Sequence, residues 1–108
     1  MNASGQLYTV GLWSVKPGSE AAFVAAWREF ADWTVKHQPG ALEGHLLQDI
    51  DESSRFVSFG PWKDAQSIQA WRERPEFQTF LAKVRELCEV VQPGTLRSVV
   101  YVVAPAAG

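Results

Sequence analysis

The chain has 108 residues, a length that fits one domain with a modest core. A formal charge of −2 at pH 7 gives no basic footprint for nucleic acid, and no apolar run approaches the ~18 residues of a membrane span. The single cysteine, Cys88, excludes an internal disulfide or a cysteine-rich zinc cluster and is consistent with a cytoplasmic location.

The opening MNASGQ is polar and lacks the apolar stretch of a secretory signal. Gln6–Val15 (QLYTVGLWSV) is rich in β-branched and aromatic residues and reads as a strand apolar on both faces. KPGSE then turns into a helix, with Gly18 or Ser19 as its expected cap and Glu20 in the first turn. Phe23, Trp27, Phe30 and Thr34 form its apolar stripe, widened by Val24, Ala26 and Ala31, and KHQPG ends it. Ala41–Ile50 is a second strand, DESS a hairpin turn and Arg55–Gly60 a third strand. Lys63–Trp71 is a short helix that turns Ala65, Ile68 and Trp71 inward. Pro75 suits the first turn of another helix. Phe77, Phe80, Leu81, Val84, Leu87, Cys88 and Val91 mark that helix's stripe, which makes Cys88 a buried structural thiol, and QPGT stops it. LRSVVYVVA (Leu96–Ala104) is the last strand, and APAAG a flexible tail.

This order, β-α-β-β-α-α-β, with right-handed crossovers predicts a ferredoxin-like α+β sandwich, its antiparallel sheet covered by helices on one face. The core spans about residues 6–103 of a single domain covering 1–108. Strands one and four are apolar at nearly every position, so the second sheet face also needs cover. A homodimer that buries this face is expected, since large exposed apolar patches are unusual in monomers.

Three stretches carry a family resemblance: the first strand ending in VKPG, the QPGALEGHLLQD opening of strand two, and the tryptophan closing strand three before RPEFQTF. With them the chain, over roughly residues 6–103, resembles the antibiotic biosynthesis monooxygenase (ABM) family of dimeric ferredoxin-like proteins. The resemblance implies a function class and not one activity: some members oxidise polycyclic aromatic polyketides such as anthrones without a cofactor, others degrade haem or act on small signalling molecules or quinols, and many have no known activity. The leading expectation is a cofactor-independent monooxygenase that oxidises an aromatic polyketide-like substrate, of anthrone or quinol type, with O2. A non-catalytic ligand-binding or regulatory dimer of the same fold is the alternative, and haem binding a third reading. The family's haem-degrading branch needs a histidine on the third helix and usually an asparagine on strand one. Leu81 and Gly11 stand at those positions here, which argues against haem degradation.

The residues themselves admit that chemistry. Trp13, Trp62, Trp71 and Phe77 can wall a flat apolar pocket between sheet and helices. His45, a polar residue within strand two, carries an imidazole that can take a proton from a phenol or an activated ring carbon. Together with Arg97 and Tyr101 it can also stabilise a developing oxyanion. His45, Trp71 and Trp62 are therefore the candidate catalytic residues, and Trp13, Phe77, Arg97 and Tyr101 the candidate substrate contacts. Trp27 reads as core and Trp33 as partly exposed or at the dimer contact, while Arg72, Glu73 and Arg74 read as a solvated loop. His37 and His45 have no metal-ligand spacing, and no glycine-rich phosphate loop follows a strand. No metal, flavin or nicotinamide is expected. The expected partners are a small aromatic molecule, O2 and a second copy of the chain, with neither nucleic acid nor membrane.

Overall fold

Pairing of the β-rich segments builds a four-stranded antiparallel sheet of order β2-β3-β1-β4 in the computed structural model, which describes residues 5–106. The strands are β1 (Leu7–Val15), β2 (His45–Gln48), β3 (Arg55–Trp62) and β4 (Cys88–Arg97). Helices α1 (Glu20–His37), α2 (Ala65–Arg72) and α3 (Pro75–Arg85) lie on one side of it. The fold is the expected ferredoxin-like α+β sandwich.

Turn chemistry places the helices. Gly18 has φ 87°, a left-handed value that favours glycine, and so turns the chain out of β1. Ser19 occupies the N-cap of α1, but its side chain makes no capping bond. At α2 the cap is a side chain: Asp64 accepts the Ser67 N–H at 2.8 Å. Hydrogen bonds from the Ser67 hydroxyl and backbone hold the Asp64 carboxyl below its ordinary pKa. A depressed carboxylate pKa stabilises the fold above the unfolded-state value, and the contribution is lost as pH falls through the folded one. Asp64→Ala should therefore lower the melting temperature at neutral pH, with the gap to wild type closing in acid; thermal melts across pH read this directly.

Several boundaries differ from the sequence reading. β2 is shorter than Ala41–Ile50: Ala41 makes only an isolated bridge to Trp62, and Ile50 is 98% exposed. The helical stripe drawn through Cys88 and Val91 stops at Arg85, and the chain enters β4 at Cys88. Val84, Leu87 and Val91 fit a helical period, but the Leu87 carbonyl accepts the Lys16 N–H at 2.9 Å and leads the chain into the sheet. Pro93 and Gly94, expected as a stop, lie inside β4 opposite Gly11 and Val10. β4 is an edge strand, where proline's missing N–H is tolerated. Val99–Val103, expected as the last strand, lie beyond the final pairing and are exposed. Two backbone bonds, Gly5 N–H to Ser98 O and Ser98 N–H to Gln6 O, close the sheet just before them. Ala104–Ala106 are exposed without strand or helix, while residues 1–4 and 107–108 of the expected tails lie outside the described residues.

Register sorts side chains between two faces. Thr9, Gly11, Trp13 and Val15 of β1 point toward the helices with Phe56, Ser58, Gly60 and Trp62 of β3. A bulge between Ser14 and Val15 sets Cys88, not Glu89, opposite Val15. Cys88 is thus buried as expected, and burial raises its thiol pKa. Phe23, Ala26 and Phe30 of α1 and Phe77 and Val84 of α3 close the core. The opposite face carries Tyr8, Val10 and Leu12, with Val57, Phe59, Leu47, Val90 and Leu96 beside them. Among the described residues no helix packs on that face, and Leu12, Leu47, Val90 and Leu96 stay 44–55% exposed.

Candidate functional site

Between the inner sheet face and the helices lies a cavity of about 510 Å3. Sites for drug-sized ligands run from ~300 to ~1,000 Å3. The sheet contributes Trp13, Ser58 and Trp62, α1 contributes Trp27, Phe30 and Thr34, and α2 and α3 contribute Trp71, Phe77 and Leu81. The candidates Trp13, Trp62, Trp71 and Phe77 are thus brought together on one wall system. Trp71 lies 4.9 Å from Trp62 between ring centroids, 5.7 Å from Phe30 in a stacked pair, and 4.6 Å from Phe77 edge-on. Aromatic pairs at such distances stabilise beyond their buried area.

Each of these three indoles has a hydroxyl partner. Trp13 Nε1 donates to Ser58 Oγ at 2.9 Å, Trp62 Nε1 to Thr9 Oγ1 at 3.0 Å, and Trp71 Nε1 to Thr34 Oγ1 at 3.0 Å. Thr34 in turn donates its proton to Phe30 O at 2.8 Å. Gly11 permits the first pair. A Cβ there would come within 2.7 Å of Trp13 Nε1 and 2.8 Å of Ser58 Oγ, so a side chain would displace the bond. Gly60 permits a second close approach, since a Cβ would meet the Glu43 carbonyl oxygen at 2.5 Å.

Sequence reasoning missed Ser58, Thr9 and Arg72. Ser58 could have been found as the one polar side chain on the inward parity of β3 between Phe56 and Trp62. Arg72 is not in a solvated loop: it ends α2, and its Nη2 donates to Thr95 Oγ1 of β4 at 2.7 Å across the cavity rim. Glu43 and Arg72 are the charged residues on the cavity wall among the described residues. Leu81 and Gly11, the positions that depart from the haem-degrading pattern, both line this cavity.

The remaining candidates lie elsewhere. His45 pairs with Phe59 in register and therefore faces the outer side of the sheet. Its ring stacks on Phe59 at 4.6 Å and 7°, and its Nε2 lies 3.0 Å from Glu43 Oε2. The sheet separates it from Trp62 and Trp71, against the expectation that all three work together. Arg97 pairs with Leu7 at the end of β4, exposed and outside the cavity wall. Tyr101 is 62% exposed, beyond the last strand. Trp27, expected as core, is half-buried on the cavity wall. Trp33 packs on Phe80 at 5.5 Å within the helix layer, away from the bare sheet face. Among the described residues no cluster of three or more His, Cys, Asp or Glu is placed to hold a metal ion, and no helix is long and apolar enough to cross a membrane.

Comparison with known proteins adds to this geometry. SnoaB of Streptomyces nogalater, a cofactor-independent oxygenase, superposes with a TM-score of 0.81 at 20% identity, over 95% of this chain and 100% of that one. PA3566 of Pseudomonas aeruginosa gives 0.74 at 20% identity, over 93% and 100%. A conserved protein of Methanosarcina mazei gives 0.79 at 15% identity, over 89% and 95%. At such identities the likeness is one of fold. No curated protein sequence matches the chain. The sequence profile of the antibiotic biosynthesis monooxygenase family matches residues 7–83, and the chain belongs to that family.

Proposed function

We propose that the cavity binds a planar aromatic polyketide-like molecule, of anthrone or quinol type, and that the protein catalyses its cofactor-independent monooxygenation by O2. The observation that carries this reading is the cavity itself: about 510 Å3, apolar, walled by tryptophan and phenylalanine rings, with hydroxyls as its main polar groups. Family membership and the fold shared with SnoaB support it. In the reaction the substrate is its own reductant. A ring carbon loses a proton, and the resulting enolate gives one electron to O2. The radical pair combines to a hydroperoxide, and loss of water leaves the quinone. One oxygen atom ends in product and the other in water. Trp13, Trp62, Trp71 and Phe77 would orient the rings and exclude bulk water. Arg72 at the rim would favour the anionic form of the substrate.

Among the described residues no histidine lines the cavity, so the substrate ionises at its own acidity, shifted by the site. The initial rate of O2 uptake on anthrone should rise with pH along the substrate's own ionisation. His45→Ala should keep that rate within about twofold, since its ring faces the other side of the sheet. A tenfold loss in folded His45→Ala would return this histidine to the mechanism. Absence of uptake across a panel of anthrones and quinols would sink the oxygenase reading. One observation favours a second reading, a dimer that binds such ligands without turnover: Glu43, the one carboxylate on the cavity wall among the described residues, is engaged by His45. Ligand binding without O2 uptake would establish it.

We also propose that the partner is a second copy, seated on the bare sheet face of Tyr8, Val10, Leu12 and Phe59. Its apolar exposure supports this, as does the unpaired β-branched segment that leaves β4.

A further inference from the structure

We infer that the Ser58 and Thr9 hydroxyls form a donor pair that recognises one exocyclic oxygen of the bound aromatic (a carbonyl, phenolate or enolate) and so sets which ring systems the cavity accepts. This rests on the reading of the cavity as a site for planar aromatics.

The inference comes from proton bookkeeping over the three indole–hydroxyl pairs. In each pair the hydroxyl oxygen accepts the indole N–H, which leaves one O–H to be placed. Thr34 places its proton on Phe30 O and is complete. Ser58 and Thr9 have no acceptor for theirs among the described residues, although both line the cavity and Ser58 is buried. A donor left facing apolar walls is unfavourable, and a ligand oxygen relieves it. Because each hydroxyl already accepts a hydrogen bond, its own O–H is polarised into a stronger donor.

Register puts the two within reach of one atom. Ser58 lies opposite Gly11, and Thr9 opposite Gly60, so the hydroxyls are diagonal neighbours on the inner face of β1 and β3. Diagonal pairs stand about 7–8 Å apart. That spacing is set at the backbone; where the two side chains lean toward one another, an oxygen between them accepts a bond of about 2.8 Å from each. Gly11 holds the arrangement, since only a missing side chain lets the Trp13 indole reach Ser58. Two donors aimed at one oxygen suit a group on which negative charge accumulates, and so favour the enolate over its neutral ketone.

Fluorenone and fluorene share a three-ring skeleton and differ by the carbonyl, so their affinities isolate this pair without any oxygenation. In equilibrium dialysis the wild-type protein should bind fluorenone about tenfold more tightly than fluorene. The Ser58→Ala/Thr9→Val variant should lose that preference and keep its affinity for fluorene. Thr34→Val removes an equivalent indole partner and should leave the preference intact. If the double variant fails to fold, Thr9→Val alone should reduce the preference. Equal wild-type affinity for the two ligands overturns the donor pair while leaving the cavity reading standing. So does a preference that survives the double variant, or one that Thr34→Val abolishes equally. Binding of neither ligand overturns both.

Discussion

Trp71→Ala should lower the unfolding free energy by about 3 kcal/mol, a substantial part of the ~5–15 kcal/mol typical of a domain. The ring is where helices and sheet meet. It contacts Trp62 from β3, Phe30 from α1 and Phe77 from α3, and its N–H reaches Thr34. Truncation removes all four contacts and enlarges a cavity that already borders the ring, so the neighbours have little to collapse onto. Trp71→Phe is the matched control. It keeps a ring on the wall and removes the indole N–H along with its bond, so no donor is stranded. Thr34 keeps its bond to Phe30 O. The phenylalanine variant should cost about 1 kcal/mol and retain affinity for planar ligands, whereas the alanine variant should lose both stability and binding. Urea unfolding followed by far-UV circular dichroism measures the first, and equilibrium dialysis the second. A cost below about 1 kcal/mol for Trp71→Ala would show that the ring is not packed as described.

Long-period features of the fold were legible in the sequence, and features set by long-range pairing were not. The α1 stripe of Phe23, Phe30 and Thr34 and the Pro75 start of α3 fall where spacing and turn chemistry put them. β4 was misplaced because Pro93-Gly94 is a turn signal locally and becomes tolerable only on a sheet edge, which is a property of the strand order. Trp13, Trp62, Trp71 and Phe77 were recognisable as candidate walls because large aromatics beside strand ends and helix starts have few places to go. The outward face of His45 was hidden for a different reason. β2 has only four residues and no clear alternation, so its inward parity is fixed by pairing with β3 and not by its own pattern. The hydroxyl partners of the tryptophans lie 45, 53 and 37 positions away along the chain, beyond any local signal.

The second large effect concerns the segment after β4. A chain ending at Ser98 should behave as a monomer in light scattering, whereas the full chain should show twice the chain mass at micromolar concentration. Val99, Val100, Val102 and Val103 are 66–84% exposed, although β-branched residues of this kind favour paired strands. They lie beyond the end of β4 at Arg97 and are in no strand of the sheet. Its two edge strands, β2 and β4, still present backbone groups that a further strand can use. In a two-fold dimer each copy would give one such segment and receive one, while the faces bearing Leu12, Leu47 and Leu96 close on each other. Leu12→Lys separates the two contributions, since it charges the face and leaves the segment intact. Both variants should be monomeric if segment and face act together. A truncated chain that remains dimeric while Leu12→Lys dissociates would assign association to the sheet face alone. A full-length chain that stays monomeric would remove the dimer altogether.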